Sequence, residues 1–271
     1  MAVWIDDPDD PRVADYVDLT DSQMRRRSEP GAGVFIVEGA LTLAALARSR
    51  YAARSVMVTP SQAERLRDLL DGLGAPVLIA SQPVMNRVTG FNIHRGVLAA
   101  AARPPLLSPD EVAGLARVLV VGEDLNDQEN LGALFRNARA LGVGGVLLSP
   151  GCCDPLYRRT VRVSLGHVLH VPFAVLRPWP SGLLGLRAKG FEVLALTPGP
   201  DAEPIGAVDA AGAGLDRRVA VLVGAEGAGL SPAALAYADR RVRIPMAPGV
   251  DSLNVATAAA IAFHHLGAAP T

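Results

Sequence analysis

The sequence predicts an α/β protein of two consecutive domains, and three observations carry that prediction. Short aliphatic runs alternate with helix-length amphipathic stretches along most of the chain. The 271 residues are half hydrophobic but only 4% aromatic, so the interior is built from Ala, Val and Leu, which suits closely packed helix-on-sheet layers. The alternation breaks once, at Arg103-Pro104-Pro105, and then restarts, in a chain long enough to bury two cores.

The first domain, 1–105, opens on a polar, acidic lead that carries the basic triplet Arg25-Arg26-Arg27. Strands are then predicted at Val34–Val37, Ser55–Val58, Pro76–Ala80 and Gly96–Ala102, with helices over Gly39–Ser49 and Ser61–Leu73. Residues 106–116 follow the double proline and read as a linker. In the second domain, 117–271, strands are predicted at Val118–Val121, Gly145–Leu148, Val168–Val175, Phe191–Leu196, Val219–Val223 and Arg241–Ile244. Helices fall at Asn130–Leu141, Pro155–Leu165, Leu183–Lys189, after Ser231 and from Leu253. Residues 198–215, rich in Pro, Gly and Ala, read as a flexible connection. Strands separated by helices imply a mostly parallel sheet.

No apolar run approaches the ~18 residues of a membrane span. The first residues show no basic stretch followed by an apolar one, so a soluble, cytoplasmic protein is expected. The adjacent Cys152 and Cys153 suit neither a disulfide nor a zinc site, and no metal is expected. With 26 basic and 27 acidic residues there is no global field to attract nucleic acid, so such binding must rest on local patches. Every basic residue but Lys189 is Arg, the type that suits phosphate. Two candidate patches are Arg25–Arg27 and the helical cluster Arg158, Arg159 and Arg162; a solvated helix face would explain the second equally well.

Three segments of the second domain invite a chemical reading. In Asn130–Leu141, the residues Leu131, Leu134, Phe135, Ala138 and Leu141 form one helical face, and Arg136 lies about 140° from Leu131. Packing does not explain Arg136, although solvation would; Asn130 is suited to cap the helix. In Leu222–Pro232, a loop between strand and helix, Gly224, Gly227 and Gly229 permit positive φ and close approach of a ligand to the backbone. Their order, G-x-x-G-x-G, is neither the dinucleotide nor the phosphate-loop pattern. Glu226, inside that loop, must be paired or solvated. In Arg243–Leu266, Asp251 or Ser252 can cap the last helix, leaving Asn254, a poor helix former, beside its free N–H groups. Such an end can hold the polar parts of a ligand.

Taken together, Asn130-x-Gly132-x-x-x-Arg136-Asn137-Ala138, then Leu222-Val223-Gly224-Ala225-Glu226-Gly227-Ala228-Gly229-Leu230-Ser231, then Ile244-Pro245-Met246 with Ser252-Leu253-Asn254-Val255, resemble in order and interval the three signature motifs of the SpoU/TrmH family of SPOUT RNA methyltransferases. The first domain, with its VFIVEG opening and GVLA ending, resembles the L30e-like substrate-binding domain of many members. The resemblance implies a deep trefoil knot in the parallel sheet. It also implies an S-adenosylmethionine site made by Leu196, Thr197, Pro198 and Gly199, by Gly224, Ala225, Glu226 and Gly227, and by Ile244, Pro245 and Met246, closed by Ser252, Leu253 and Asn254. It further implies a homodimer whose active site is completed across the interface, and an RNA substrate, not DNA. Ribosomal RNA is favoured over transfer RNA by the appended first domain. The chain departs from the family pattern at Ala256, where many relatives have Ser, and at Asn137, where Thr is common.

Asn130, Arg136, Glu226, Ser252 and Asn254 match the family's catalytic-pocket positions, and the implied reaction is methyl transfer to a ribose 2′-hydroxyl. The family role of the residue matching Arg136 is activation of that hydroxyl. A guanidinium stays protonated, so Arg136 is expected to stabilise the forming alkoxide and hold the adjacent phosphate, with Arg158–Arg162 and Arg25–Arg27 supplying further phosphate contacts. The alternatives are a transfer-RNA substrate, methylation of a base nitrogen, and a non-catalytic RNA-binding or ribosome-assembly factor that retains the fold.

Overall fold

The computed structural model describes residues 2–17, 19, 31, 33–208 and 217–267. They form two compact units: the described residues up to Pro105 together with Leu156–His170, and those of Leu106–Pro155 together with Val171 onward.

In the first unit β1 (Ala2–Ile5), β2 (Val34–Glu38), β3 (Ala53–Val58), β4 (Val77–Ala80) and β5 (Val97–Ala102) make a sheet in the order β1-β4-β3-β5-β2. The first three in that order are parallel, and β5 runs antiparallel to β3 and β2. β1 occupies the acidic lead, where the sequence predicts no strand; with four residues and only Ile5 buried it offers too few alternations to register. Helix α1 (Ala40–Ala47) follows β2 as predicted. The predicted Ser61–Leu73 helix is two pieces, α2 (Pro60–Arg65) and α3 (Arg67–Gly72), separated by Leu66 at ψ 16°. Helix α4 (Gln82–Thr89) is an addition to the predicted set. Ser81 caps it by accepting from Val84 N at 3.4 Å, and Gly90 ends it at φ 77°.

The second unit begins with α5 (Pro109–Gly114), inside the stretch read as a linker. Ser108 Oγ accepts from Glu111 N at 3.2 Å while Ser108 N donates to Glu111 Oε2 at 2.7 Å, a capping box, and Val112 and Ala113 are buried in the core. Then come β6 (Val118–Gly122), α6 (Gln128–Ala140) and β7 (Gly145–Leu148). The chain next forms α7 (Arg158–Val163), which belongs to the first unit, and resumes the second with β8 (Phe173–Val175) and α8 (Leu183–Ala188). β9 (Phe191–Leu196), β10 (Glu203–Pro204), β11 (Arg218–Val223), α9 (Pro232–Leu235), β12 (Arg240–Arg243) and α10 (Val255–His265) complete it. The sheet order is β10-β12-β9-β11-β6-β7-β8 and every pair is parallel. A parallel sheet covered on both faces calls for unbroken apolar strands, and β6, β7 and β11 are that kind. No helix of the described residues is long and apolar enough to cross a membrane.

Two further expectations change. The predicted strand Val168–Val175 is only Phe173–Val175, preceded by a 3-10 turn at His167–Leu169. The supposedly flexible stretch 198–215 holds β10 and a buried Ile205 and Val208; its residues 209–215 lie outside the described ones. Arginines of β12 fix this stretch in place. Arg240 Nε and Nη2 donate to the two oxygens of Glu203 at 2.6 and 2.7 Å, Arg241 Nη1 to Asp201 Oδ2 at 2.7 Å, and Arg243 Nε to Ala202 O at 2.9 Å.

The hydrogen-bonded Arg240 guanidinium holds the Glu203 carboxyl below its ordinary value of 4.5. A folded value that is depressed adds stability above the unfolded value, and that stability is lost as pH falls through the folded one. Denaturation midpoints at pH 7 and pH 3 should therefore lie closer together in Glu203→Gln than in the parent. An unchanged gap would mean that this half-buried pair adds nothing.

On α7, Arg158 Nη1 donates to Glu38 Oε2 and Arg162 Nη1 to Glu38 Oε1 at 3.4 Å; Glu38 is only 6% exposed. The Arg158 guanidinium also lies 4.7 Å from the Phe91 ring centroid. The cluster expected to be a free anion patch is thus partly neutralised: Arg158 is engaged on both sides, while Arg159 is exposed and Arg162 half-buried. Arg25, Arg26 and Arg27 lie outside the described residues.

Candidate active site

β12, β9 and β11 are neighbours and parallel, so the loops leaving their C-terminal ends must emerge side by side. That topology gathers segments distant in sequence around a cavity of about 460 Å³. Leu196, Thr197 and Pro198 enter it after β9, Gly224, Ala225, Glu226 and Gly227 after β11, and Ile244 and Met246 after β12. Ser252, Leu253 and Asn254, the approach to α10, complete the wall. Of the expected cofactor residues only Gly199 and Pro245 fail to line it. Val223, Gly229, Val255 and Ala258 line it as well; none was among the expected cofactor residues, although Gly229 belongs to the glycine set read as admitting a ligand and the others continue a loop or helix start that was named.

The glycine loop is shaped by its own backbone. A Cβ on Gly224 would come within 2.3 Å of the Gly229 carbonyl carbon, so the chain can close on itself only with hydrogen at that position. Gly229 N donates to Ala225 O at 2.9 Å, and Gly227 and Gly229 take φ of 78° and 66°. Gly224 is therefore required by contact, and the other two by backbone conformation.

Asn254, not Asp251 or Ser252, caps α10: its Oδ1 accepts from Ala256 N at 3.0 Å and Thr257 N at 3.2 Å. Capping thus explains the Asn that sequence reasoning could not place in a first turn. The other end of the amide does more, since Nδ2 donates to Glu226 Oε1 at 3.0 Å and to Asn130 Oδ1 at 2.7 Å. One residue from each of the three segments is joined in this way. Asn130 sits in the third helical position of α6, whose cap is Asp127, accepting from Glu129 N and Asn130 N at 2.8 Å. Seven residues on, and so on the same side of α6, Asn137 Nδ2 donates to Ala256 O at 2.8 Å. The two positions that depart from the family pattern are in contact with each other.

Arg136 is exposed on α6, its guanidinium makes no hydrogen bond or ion pair with a described residue, and it does not line the cavity of its own chain. Among the described residues Glu226 is the only ionisable one that does.

Residues 117–264 match the SpoU rRNA Methylase family. The chain is 48% identical, over 96% of its length and 92% of the other, to a protein of Mycobacterium tuberculosis described as an uncharacterised tRNA/rRNA methyltransferase. It is 28% identical, over 74% of its length and 82% of the other, to a 23S rRNA (guanosine-2′-O-)-methyltransferase of Acinetobacter baylyi. In structure it is similar to an AdoMet-bound rRNA methyltransferase of Sinorhizobium meliloti, with a TM-score of 0.79 and 25% identity over 98% of this chain and 97% of that one. That likeness carries the trefoil knot as an implication of the shared fold. With its three segments joined at one cavity and this match over more than half its length, the chain belongs to the SpoU family of RNA methyltransferases.

Proposed function

We propose that the protein transfers a methyl group from S-adenosylmethionine to a ribose 2′-hydroxyl of structured RNA, ribosomal RNA being the favoured substrate. The observation that carries this reading is the composition of the cavity wall. It is mainly apolar, with Leu196, Val223, Ile244, Met246, Leu253 and Val255 available to a flat base, and the only charge among its described residues is the Glu226 carboxylate. Among the described lining residues no cation stands ready for the phosphates of a nucleotide, whereas a ligand of net positive charge suits one carboxylate. Its volume lies in the ~300–1,000 Å³ usual for small-molecule sites. The relative from Acinetobacter supports the ribose as acceptor.

When bound, the cofactor supplies a methyl on a sulfonium, already electrophilic. The protein's task is to present a hydroxyl oxygen in line with it and to stabilise the negative charge that develops there. Asn254, held by Glu226 and Asn130, fixes the polar rim of the cavity. Arg136 stabilises the alkoxide and grips the neighbouring phosphate, supplied across the interface of a homodimer; the proton leaves to a phosphate oxygen or water. The first unit is the RNA-binding unit, with Arg159 and Arg162 as its phosphate contacts.

Incubation with labelled S-adenosylmethionine and RNA, followed by nucleoside mass spectrometry, tests this: 2′-O-methylnucleosides are expected, and label on a base nitrogen would replace the ribose reading. Asn254→Asp gives a sharper local test. The cap survives, because an oxygen still faces Ala256 N, but the donor to Glu226 and Asn130 becomes a second carboxylate. Stability should change by less than about 1 kcal/mol while transfer falls about tenfold or more. Unchanged transfer would remove Asn254 from the site.

A further inference from the structure

Glu123, immediately after β6, is 4% exposed, and no described cation pairs with it. Three neutral donors satisfy its carboxylate. Oε1 accepts from Trp179 Nε1 at 2.9 Å and Ser231 Oγ at 2.7 Å, and Oε2 accepts from Ser231 N at 2.8 Å. Its backbone joins the same arrangement, since Glu123 N donates to Val223 O at 2.8 Å. Val223 is the last residue before the glycine loop and Ser231 the first after Leu230, so one residue holds the loop at its entrance and at its exit.

We infer that Glu123 is a positioning residue that sets the span of the Gly224–Leu230 loop and thereby places Glu226 and one wall of the cofactor cavity. The inference rests on the cofactor reading above for its functional part and on geometry alone for its structural part. The loop closes internally through Gly224 and Gly229, but that closure says nothing of where the closed loop stands. The entrance is tied to β6 by one backbone bond, as any pair of strands would be. The exit depends on the side chain, and only an acceptor on both oxygens serves it. The Ser231 hydroxyl gives its proton to Glu123 while accepting from Ala234 N at 3.1 Å, which also fixes the start of α9. A glutamine at 123 can keep the Trp179 and Ser231 Oγ bonds on its oxygen, but then sets an NH₂ against Ser231 N–H, donor to donor. An aspartate falls a methylene short.

The test compares Glu123→Gln with Trp179→Phe in the full chain. The phenyl ring removes one bond to the same buried carboxylate but none to the loop, so it controls for loss of stability. Amide hydrogen exchange in the ligand-free protein and calorimetric titration with S-adenosylmethionine are the two readouts. In E123Q, exchange over residues 224–231 should rise about tenfold and affinity fall by a similar factor, as expected when one buried donor is orphaned. In W179F the melting temperature should drop while loop exchange and affinity stay within about twofold of the parent. Equal loop exchange in E123Q and the parent overturns the inference, as does an equal effect of W179F on the loop. Should E123Q not fold, Ser231→Ala, which loses the hydroxyl arm and keeps the amide arm, should show the same local rise at about a third of the size; no rise overturns it. A parent that binds no S-adenosylmethionine defeats the cofactor reading, and the exchange data then still decide the role of Glu123.

Discussion

Replacing Arg136 by Ala should lower methyl transfer about 10²–10³-fold, the effect of deleting one preorganised donor to a developing oxyanion, with cofactor affinity within about twofold of the parent. Two observations separate these quantities. Arg136 does not line the cavity of its own chain, so it has no contact with cofactor there to lose. It is exposed, and its guanidinium is free of partners among the described residues, so its removal orphans no buried group and should cost stability less than about 0.5 kcal/mol. Single-turnover rates with saturating RNA, set beside calorimetry, give the two numbers. A drop in affinity equal to the drop in rate would make Arg136 a binding residue. Arg136→Lys keeps the charge but loses the planar fork, and should fall between. Its pH–rate profile decides the chemistry: if the parent shows a titrating group that Lys abolishes, the arginine is acting as a base and the electrostatic account is wrong.

The second large effect is expected at Gly224. An alanine there would drive its methyl to 2.3 Å from the Gly229 carbonyl carbon and 2.5 Å from Leu230 N, both backbone atoms that cannot swing aside. Relief requires opening the loop, at a cost no smaller than the upper part of the ~1–3 kcal/mol of ordinary overpacking. S-adenosylmethionine binding should weaken by about 100-fold or more, since that loss corresponds to ~2.7 kcal/mol of distortion. Gly227→Ala is the control. Its methyl meets nothing within 4 Å, and only the φ of 78° opposes it, which costs about 1–2 kcal/mol. The ranking of the two, measured by calorimetry and thermal melting, is the prediction: if Gly227→Ala is the more damaging, the loop is held by conformation at its tip and not by contact at its neck.

The parallel core was legible because β6, β7 and β11 are nearly unbroken apolar runs, which a sheet covered on both faces buries. β1 and α5 were not, for different reasons. β1 has one buried residue in four, below what a period of two can reveal. α5 is short and follows two prolines, so local chemistry pointed to a linker, although Ser108-x-x-Glu111 is itself a start signal. At the site, Glu226 could be named in advance as a group needing a partner or solvent, and Asn254 as out of place in a first turn; that they partner each other is a tertiary fact. The steric demand on Gly224 is of that kind too, since a glycine needed for positive φ and one needed for contact look alike in a sequence. Glu123 gave no signal at all. An acid after a strand is ordinary, and only burial against Trp179 and Ser231 distinguishes it.

Because Leu156–His170 folds with the residues up to Pro105, the first unit is not a contiguous stretch of the gene. A fragment ending at Pro105 would keep the whole five-stranded sheet yet lose α7, and with it both arginines that face Glu38. Glu38, 6% exposed in the intact chain, would lose both of its ion-pair partners and the helix that covers it. The unit is therefore not a portable module that can be trimmed off and moved to another enzyme, and transplanting it would mean carrying along a piece of coding sequence that interrupts its neighbour.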